Sequence, residues 1–149
     1  PEFGANTHPE TVATLVELCR QAGAKEVRVF DHCCHNGAYE GSGVKEAVEK
    51  AGGVMVDGGN ESQYVRTENP KARKFTSAKV HKAVLEADVY ITCPPLKHHS
   101  GSEMTACMKN VMGTVWDRGP MHKNDLHQCI ADAVYFRKPG LCALDAYLP

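Results

Sequence analysis

The stretch Val89-Tyr90-Ile91-Thr92-Cys93-Pro94-Pro95-Leu96-Lys97-His98-His99 joins a short apolar run to a cluster of basic side chains. Val89-Tyr90-Ile91 reads as a buried strand and Pro94-Pro95 ends it. Ser100 or Ser102 is placed to cap a helix that begins near Glu103. A strand feeding a helix in this way is the repeating step of an α/β chain, and the same step recurs on both sides of it.

Upstream, Thr7 and Glu10 have the spacing of a capping box, with Pro9 tolerated in the first turn. Val12, Leu15, Val16 and Cys19 then form one helical stripe that Gly23 closes. Glu26 to Phe30 is a β-rich run ending at Asp31. Val44, Ala47, Val48 and Ala51 give a second helical stripe, stopped by Gly52-Gly53, and Val54-Met55-Val56 is a strand ending at Asp57. Gly58 to Thr76 is polar and reads as a surface excursion or short strand. Downstream the sequence predicts helices over 79–87, 103–115 and 125–137, a strand over 88–93, and a last strand over 141–144 that ends at Asp145. Strands alternating with helices of this length imply parallel pairing, so the expected fold is an α/β three-layer sandwich: a parallel sheet with helices on both faces.

The chain has 149 residues and a net charge of −1. That length suits a single domain over 1–149. The near-zero charge supplies no basic field for nucleic acid or an anionic membrane. Apolar runs fall far short of the ~20 residues that span a bilayer. Seven cysteines, Cys19, Cys33, Cys34, Cys93, Cys107, Cys129 and Cys142, form an odd set with no Cys-x-x-Cys. Reduced thiols are the expectation, with Cys19, Cys107, Cys129 and Cys142 acting as small hydrophobes in apolar patterns. Cys33 and Cys34 lie in a polar loop and are expected to be the most accessible. No secretory signal is visible, which favours a cytoplasmic location.

In open parallel sheets ligands bind beyond the carboxyl ends of the strands. The predicted strand ends here carry Asp31, Asp57, Cys93 with Lys97, His98 and His99 behind it, and Asp145. Lysines next to a helix N-terminus make an anion site, because free N–H groups and the helix dipole favour negative charge. Lys97 and Lys109 would neutralise and orient the anion, Asp31 or Asp145 would orient a histidine, and His98 or His127 would move a proton. Thr105 lies four residues before Lys109, on the same face of the predicted helix. Met104, Met108, Val111 and Val115 form that helix's apolar stripe. Adjacent residues of an extended chain point to opposite sides, so only one of His98 and His99 faces the site. His122 and His127, five apart, lack the i, i+4 spacing of a zinc helix and suit a ligand hydrogen bond better. Asp31-His32-Cys33-Cys34-His35 is the densest soft-ligand cluster. It offers Cys33, Cys34 and His35 to a transition metal or an iron-sulfur cluster, although adjacent cysteines rarely close on one ion.

Several motifs recur, in this order, in a known family: Gly4-Ala5-Asn6-Thr7-His8-Pro9-Glu10, Val29-Phe30-Asp31, Tyr39-Glu40-Gly41-Ser42-Gly43-Val44, Lys97-His98-His99, Met108-Lys109-Asn110-Val111-Met112-Gly113, His127-Gln128-Cys129-Ile130-Ala131-Asp132 and Leu144-Asp145-Ala146. Between about Gly4 and Tyr147 the chain resembles domain of unknown function 362, many members of which are described as iron-sulfur proteins. The resemblance implies functional roles for Lys109, Asn110 and Gly113 through the Lys-Asn-x-x-Gly pattern. It supplies no reaction, and the iron-sulfur description belongs to a separate ferredoxin-like segment that this sequence lacks. Relatives similar in the Cys33-Cys34 loop place a second cysteine before Tyr-Glu, where this chain has Ala38. A cluster shared between the two subunits of a homodimer is the remaining way to complete such a ligand set. Relatives carry a strand before Gly-Ala-Asn-Thr and further sequence after Asp-Ala, and some are exported, so the expectation is a piece of a longer domain with Pro1-Glu2-Phe3 as a cloning remnant. Three functions follow as expectations: a domain binding a small anion in a Lys/His/Asp cleft, with enzymatic proton transfer in reach, a metal or iron-sulfur redox module, or a non-catalytic interaction domain.

Overall fold

The computed structural model of the chain describes residues 6–32 and 41–146. Cys33, Cys34 and His35, and with them the metal-ligand and thiol-accessibility expectations, lie outside the described residues.

Helix α1, Pro9–Gln21, follows the predicted stripe and ends where Gly23 adopts φ +94°. Its cap differs from the expected one. His8 caps the helix, its Nδ1 accepting from Glu10 N–H, while the Thr7 hydroxyl donates to the Cys93 carbonyl at 2.6 Å. Thr7 thus ties the helix start to the chain beyond residue 92, a long-range bond that local spacing cannot announce. Strand β1, Arg28–Val29, pairs in parallel with β2, Val54–Met55, and helix α2, Val44–Lys50, connects them. Gly53 lets the three meet: a Cβ there would lie 2.9 Å from Val48 and 3.1 Å from Val16, both fully buried.

The polar region after Asp57 is more ordered than its composition suggests. After a 3₁₀ turn at Glu61–Gln63, strand β3, Tyr64–Glu68, pairs antiparallel with β4, Ser77–His81. The helix expected from Lys79 is therefore delayed, and α3 covers only Lys82–Glu86. Val80 and His81 are both fully buried at the end of the strand, consecutive burial that apolar content alone did not separate from a helical turn. Aromatic contacts join this hairpin to β1: Phe30 stacks on His81 at 4.2 Å, and Tyr64 meets His81 edge-on at 4.8 Å.

Strand β5, Ile91–Thr92, pairs in parallel with β8, Leu141–Cys142, as the alternation predicted. Between them the expected helix over 103–115 is not formed as such. Strand β6, Lys97–His99, turns at Ser100-Gly101-Ser102 and pairs antiparallel with β7, Glu103–Thr105. Helix α4 is the single turn Cys107–Asn110, continued by a 3₁₀ turn at Val111–Thr114. The hairpin wins because the His99 ring holds the turn, its Nδ1 accepting from Gly101 N–H at 3.0 Å and Ser102 N–H at 3.2 Å. Glu103 takes φ +60° to close it. The proposed methionine stripe is correspondingly split: Val111 and Val115 are buried, whereas Met104 and Met108 are 57% and 53% exposed.

Helix α5, Gly119–Lys123, and helix α6, Leu126–Ala133, complete the chain before β8. They close a core of Phe75, Val111, Met112, Val115, Met121, Cys129, Ile130 and Ala133. The architecture is mixed α/β, with two parallel and two antiparallel strand pairs among the described residues. None of the described helices is long and apolar enough to cross a membrane.

Candidate functional site

The β6–β7 hairpin sets the geometry of the basic cluster. Lys97 stands opposite Thr105, His98 opposite Met104, and His99 opposite Glu103. Alternation then puts Lys97, His99, Glu103 and Thr105 on one face and His98 with exposed Met104 on the other. His99 is therefore the histidine on the lysine face. Its two accepted N–H bonds fix the proton on Nε2 and the ring neutral. Burial lowers its pKa, and the charges of Lys109, His122 and Lys97 lower it further.

Lys109 sits on α4, half-buried, and its ammonium is likewise pushed below the usual lysine range by burial, then by Arg118 and Lys97. Three permanent cations on three separate elements thus lie within electrostatic reach of one another. Arg118, which precedes α5, also acts on His32 and Tyr64, and so does the carboxylate of Asp31 at the end of β1. Gly113 borders Asp31, whose Oδ1 would lie 3.7 Å from a Cβ there. Asp31 and Arg118 thus act on the same two rings, while Lys109, His122 and Lys97 act on His99.

Thr105 is 7% exposed, and its Oγ1 is buried with no hydrogen-bond partner among the described residues. Such a hydroxyl beside a lysine is an unused donor that costs about 1–3 kcal/mol to leave unsatisfied.

Other expected site residues serve the fold. Asn110 donates to Thr92 Oγ1 at 2.9 Å and fastens α4 to β5. Asp145 accepts the His8 N–H at 2.7 Å, a carboxylate placed at the positive end of α1. His122 and His127 are both exposed, His127 in the first turn of α6 next to Leu126, which packs near Gly101 at the hairpin tip. The helix N-terminus expected near Glu103 is absent, so the dipole contribution assigned to it is withdrawn.

The sequence reading did not single out Arg118, nor the aromatic group in which His32 stacks on Trp116 at 5.1 Å. His32 Nδ1 donates to the Val115 carbonyl at 3.1 Å in its neutral form, and burial lowers its pKa. His32 and Trp116 line a groove of about 690 Å³ along the β3–β4 hairpin, together with Lys79 and Phe75. Lys97, Lys109 and Arg118 are not among the residues that line that groove. Cys142 is exposed, which corrects its reading as a small buried hydrophobe, whereas Cys129 is buried as expected. Among the described residues, no three His, Cys, Asp or Glu side chains are placed to hold a metal ion.

The chain belongs to the family described as domain of unknown function DUF362, whose model matches residues 1–149. No curated protein and no solved structure matches it.

Proposed function

We propose that this DUF362 domain binds a small oxyanion, a carboxylate in the first place, between Lys97, Lys109 and Arg118. The observation that carries the reading is the pairing of Lys97 with Thr105, whose buried hydroxyl has no partner among the described residues, beside two further cations. Lys109, whose protonated form burial and then the repulsion of Arg118 and Lys97 disfavour, gains from a negative charge placed beside it. A bound carboxylate would relieve that repulsion, accept from Lys97 and Lys109, and give the Thr105 hydroxyl an acceptor. Neutral His99 would add an N–H donor that needs no proton from solvent. If the domain is an enzyme, His99 on the cation face or His127 across the hairpin tip is better placed to move a proton than His98. On this reading the two parallel strand pairs are parts of one sheet in a three-layer sandwich, and the cleft lies along its edge.

A thermal-shift screen of acetate, malate, sulfate and phosphate tests the proposal on the wild type, Lys97→Ala and Lys109→Ala. A charge-assisted hydrogen bond contributes roughly 1.5–3 kcal/mol, so each variant should bind about 10- to 150-fold more weakly. Equal stabilisation of all three proteins removes the lysines from the site. Absence of any anion effect would favour the second reading, a metal or iron-sulfur module on Cys33, Cys34 and His35, which metal analysis of anaerobically purified protein then decides.

A further inference from the structure

We infer that the outer edge of β4 is a docking slot for an extended acidic peptide of a partner protein, which adds a strand to the β3–β4 hairpin at Ser77. The alternation of hydrogen bonds along the hairpin shows which backbone groups are open. Asn69 N–H donates to the Thr76 carbonyl at 2.7 Å, so in this register Thr76, Ala78 and Val80 bond towards β3. Phe75, Ser77 and Lys79 then direct their backbone groups away from it. The outer two are engaged on that side: Phe75 N–H donates to Asp132 Oδ2 at 2.9 Å, and the Lys79 carbonyl accepts from Trp116 N–H at 3.0 Å. Ser77 lies between them, and neither its backbone N–H nor its backbone carbonyl has a partner among the described residues.

The gap exists because a neighbouring segment stops short. Val115 is bridged antiparallel to Val80 and Trp116 follows opposite Lys79, but Asp117 turns the chain away, its Oδ1 accepting the Gly119 N–H at 2.9 Å. The groove of about 690 Å³ is lined by the unbroken run 75–79 and by Trp116, Asp117, Pro120 and Asn124. Consecutive strand residues point to opposite faces, so a run of them lines one groove along its edge. A peptide lying antiparallel to β4, in the direction of 115–116, exchanges two backbone hydrogen bonds with Ser77.

Charge and shape choose the occupant. Arg66, Lys74 and Lys79 line the groove against Glu61 and Asp117, three cations to two carboxylates, and Lys79 already pairs with Glu61. Lys74 has no ion pair among the described residues, so an acidic side chain finds a partner at the Phe75 end of the slot. Trp116 is half-buried with His32 stacked over one face, and its remaining surface takes an apolar side chain at the other end. A second copy of the same edge is disfavoured, because it would bring Lys79 and Arg66 against their own counterparts.

The test titrates the isotope-labelled protein with the acetylated and amidated peptide Phe-Thr-Val-Asp-Glu at millimolar concentration and follows amide NMR signals. The Ser77 amide proton should move downfield and exchange more slowly, and the same peptide N-methylated at its threonine should cause neither change. Replacing the two acids of the peptide by lysine should weaken binding, and Lys74→Glu should reverse that preference, each by roughly 2- to 5-fold, as for exposed ion pairs. Because the Ser77 N–H faces away from β3, Ser77→Pro leaves the ladder intact and should abolish the response of the Trp116 indole. If that variant does not fold, the methylated peptide decides the same point on the wild type. Equal binding of the methylated peptide, shifts that spare Ser77, or no response to the acidic peptide overturns the inference. So do Ser77 shifts that depend on protein concentration without peptide, which mark self-pairing of the edge.

Discussion

Replacing Asp132 tests how the helix next to the basic cluster is held. Asp132 is 1% exposed, and one of its oxygens, Oδ2, accepts backbone N–H bonds from Arg73 at 3.1 Å, Lys74 at 2.7 Å and Phe75 at 2.9 Å. Its other oxygen accepts from Gln128 at 2.8 Å, and its carbonyl accepts from the Asn69 side chain at 2.8 Å. Burial alone would raise its pKa, but the bonds from Phe75, Lys74 and Arg73 outweigh burial and leave it lowered. Asp132→Ala strands the Phe75 N–H in the interior, at about 1–3 kcal/mol, and leaves the Arg73 and Lys74 N–H groups near solvent at roughly 0.5–1 kcal/mol each. The expected loss is about 2–5 kcal/mol. Asp132→Asn keeps one acceptor oxygen but removes the charge, and charge-assisted bonds exceed neutral ones by about 1 kcal/mol each, so it should lose roughly 1–3 kcal/mol.

Urea unfolding at pH 7 measures both. The pH dependence supplies a second check. The folded pKa of Asp132 lies below its unfolded value of 3.8, so its stabilisation is complete above that value and is lost as pH falls through the folded pKa. The gap between wild type and Asp132→Asn should therefore narrow in acid. A loss under about 1 kcal/mol for Asp132→Ala would refute the latch, because no single buried donor could then have been stranded.

His81 is fully buried and neutral, with Nε2–H donating to Asp57 O and Nδ1 accepting from Ala83 N–H. Burial lowers its pKa from 6.5, so the unfolded chain takes up the proton first and stability should fall as pH drops from 7 to 5. His81→Asn should be less stable at pH 7 yet lose less over that interval, as urea midpoints will show; parallel curves would contradict the assignment. Gly53→Ala should cost about 1–3 kcal/mol by overpacking, since its Cβ would meet Val48 at 2.9 Å. Adding Val48→Ala should recover part of that loss in a double-mutant cycle, and strict additivity would mean that the crowding lies elsewhere.

What the sequence disclosed and what it withheld divide along one physical line. Signals carried within a few residues survived: the stripe of α1 with Gly23 behind it, the stripe of α2, and the short strands at 91–92 and 141–142. Signals that depend on a distant partner did not. Thr7 has the spacing of a cap but bonds Cys93, and Lys79 begins a helical pattern but sits in a strand fixed by Arg66 opposite it. The stretch 103–115 is the sharpest case, for Met104, Met108, Val111 and Val115 have helical spacing, yet the chain spends Glu103 to Thr105 on a hairpin. That hairpin is what brings the cluster together. As the first turn of a helix, Thr105 would share a face with Lys109 alone. As a strand residue it stands opposite Lys97, and α4 then carries Lys109 within reach of Lys97 and Arg118. The basic residues suggested an anion site from their composition, and the helix expected to polarise it is not formed. On the proposed reading, charge on side chains takes over the role assigned to a helix dipole, so the affinity for an anion should fall as ionic strength rises.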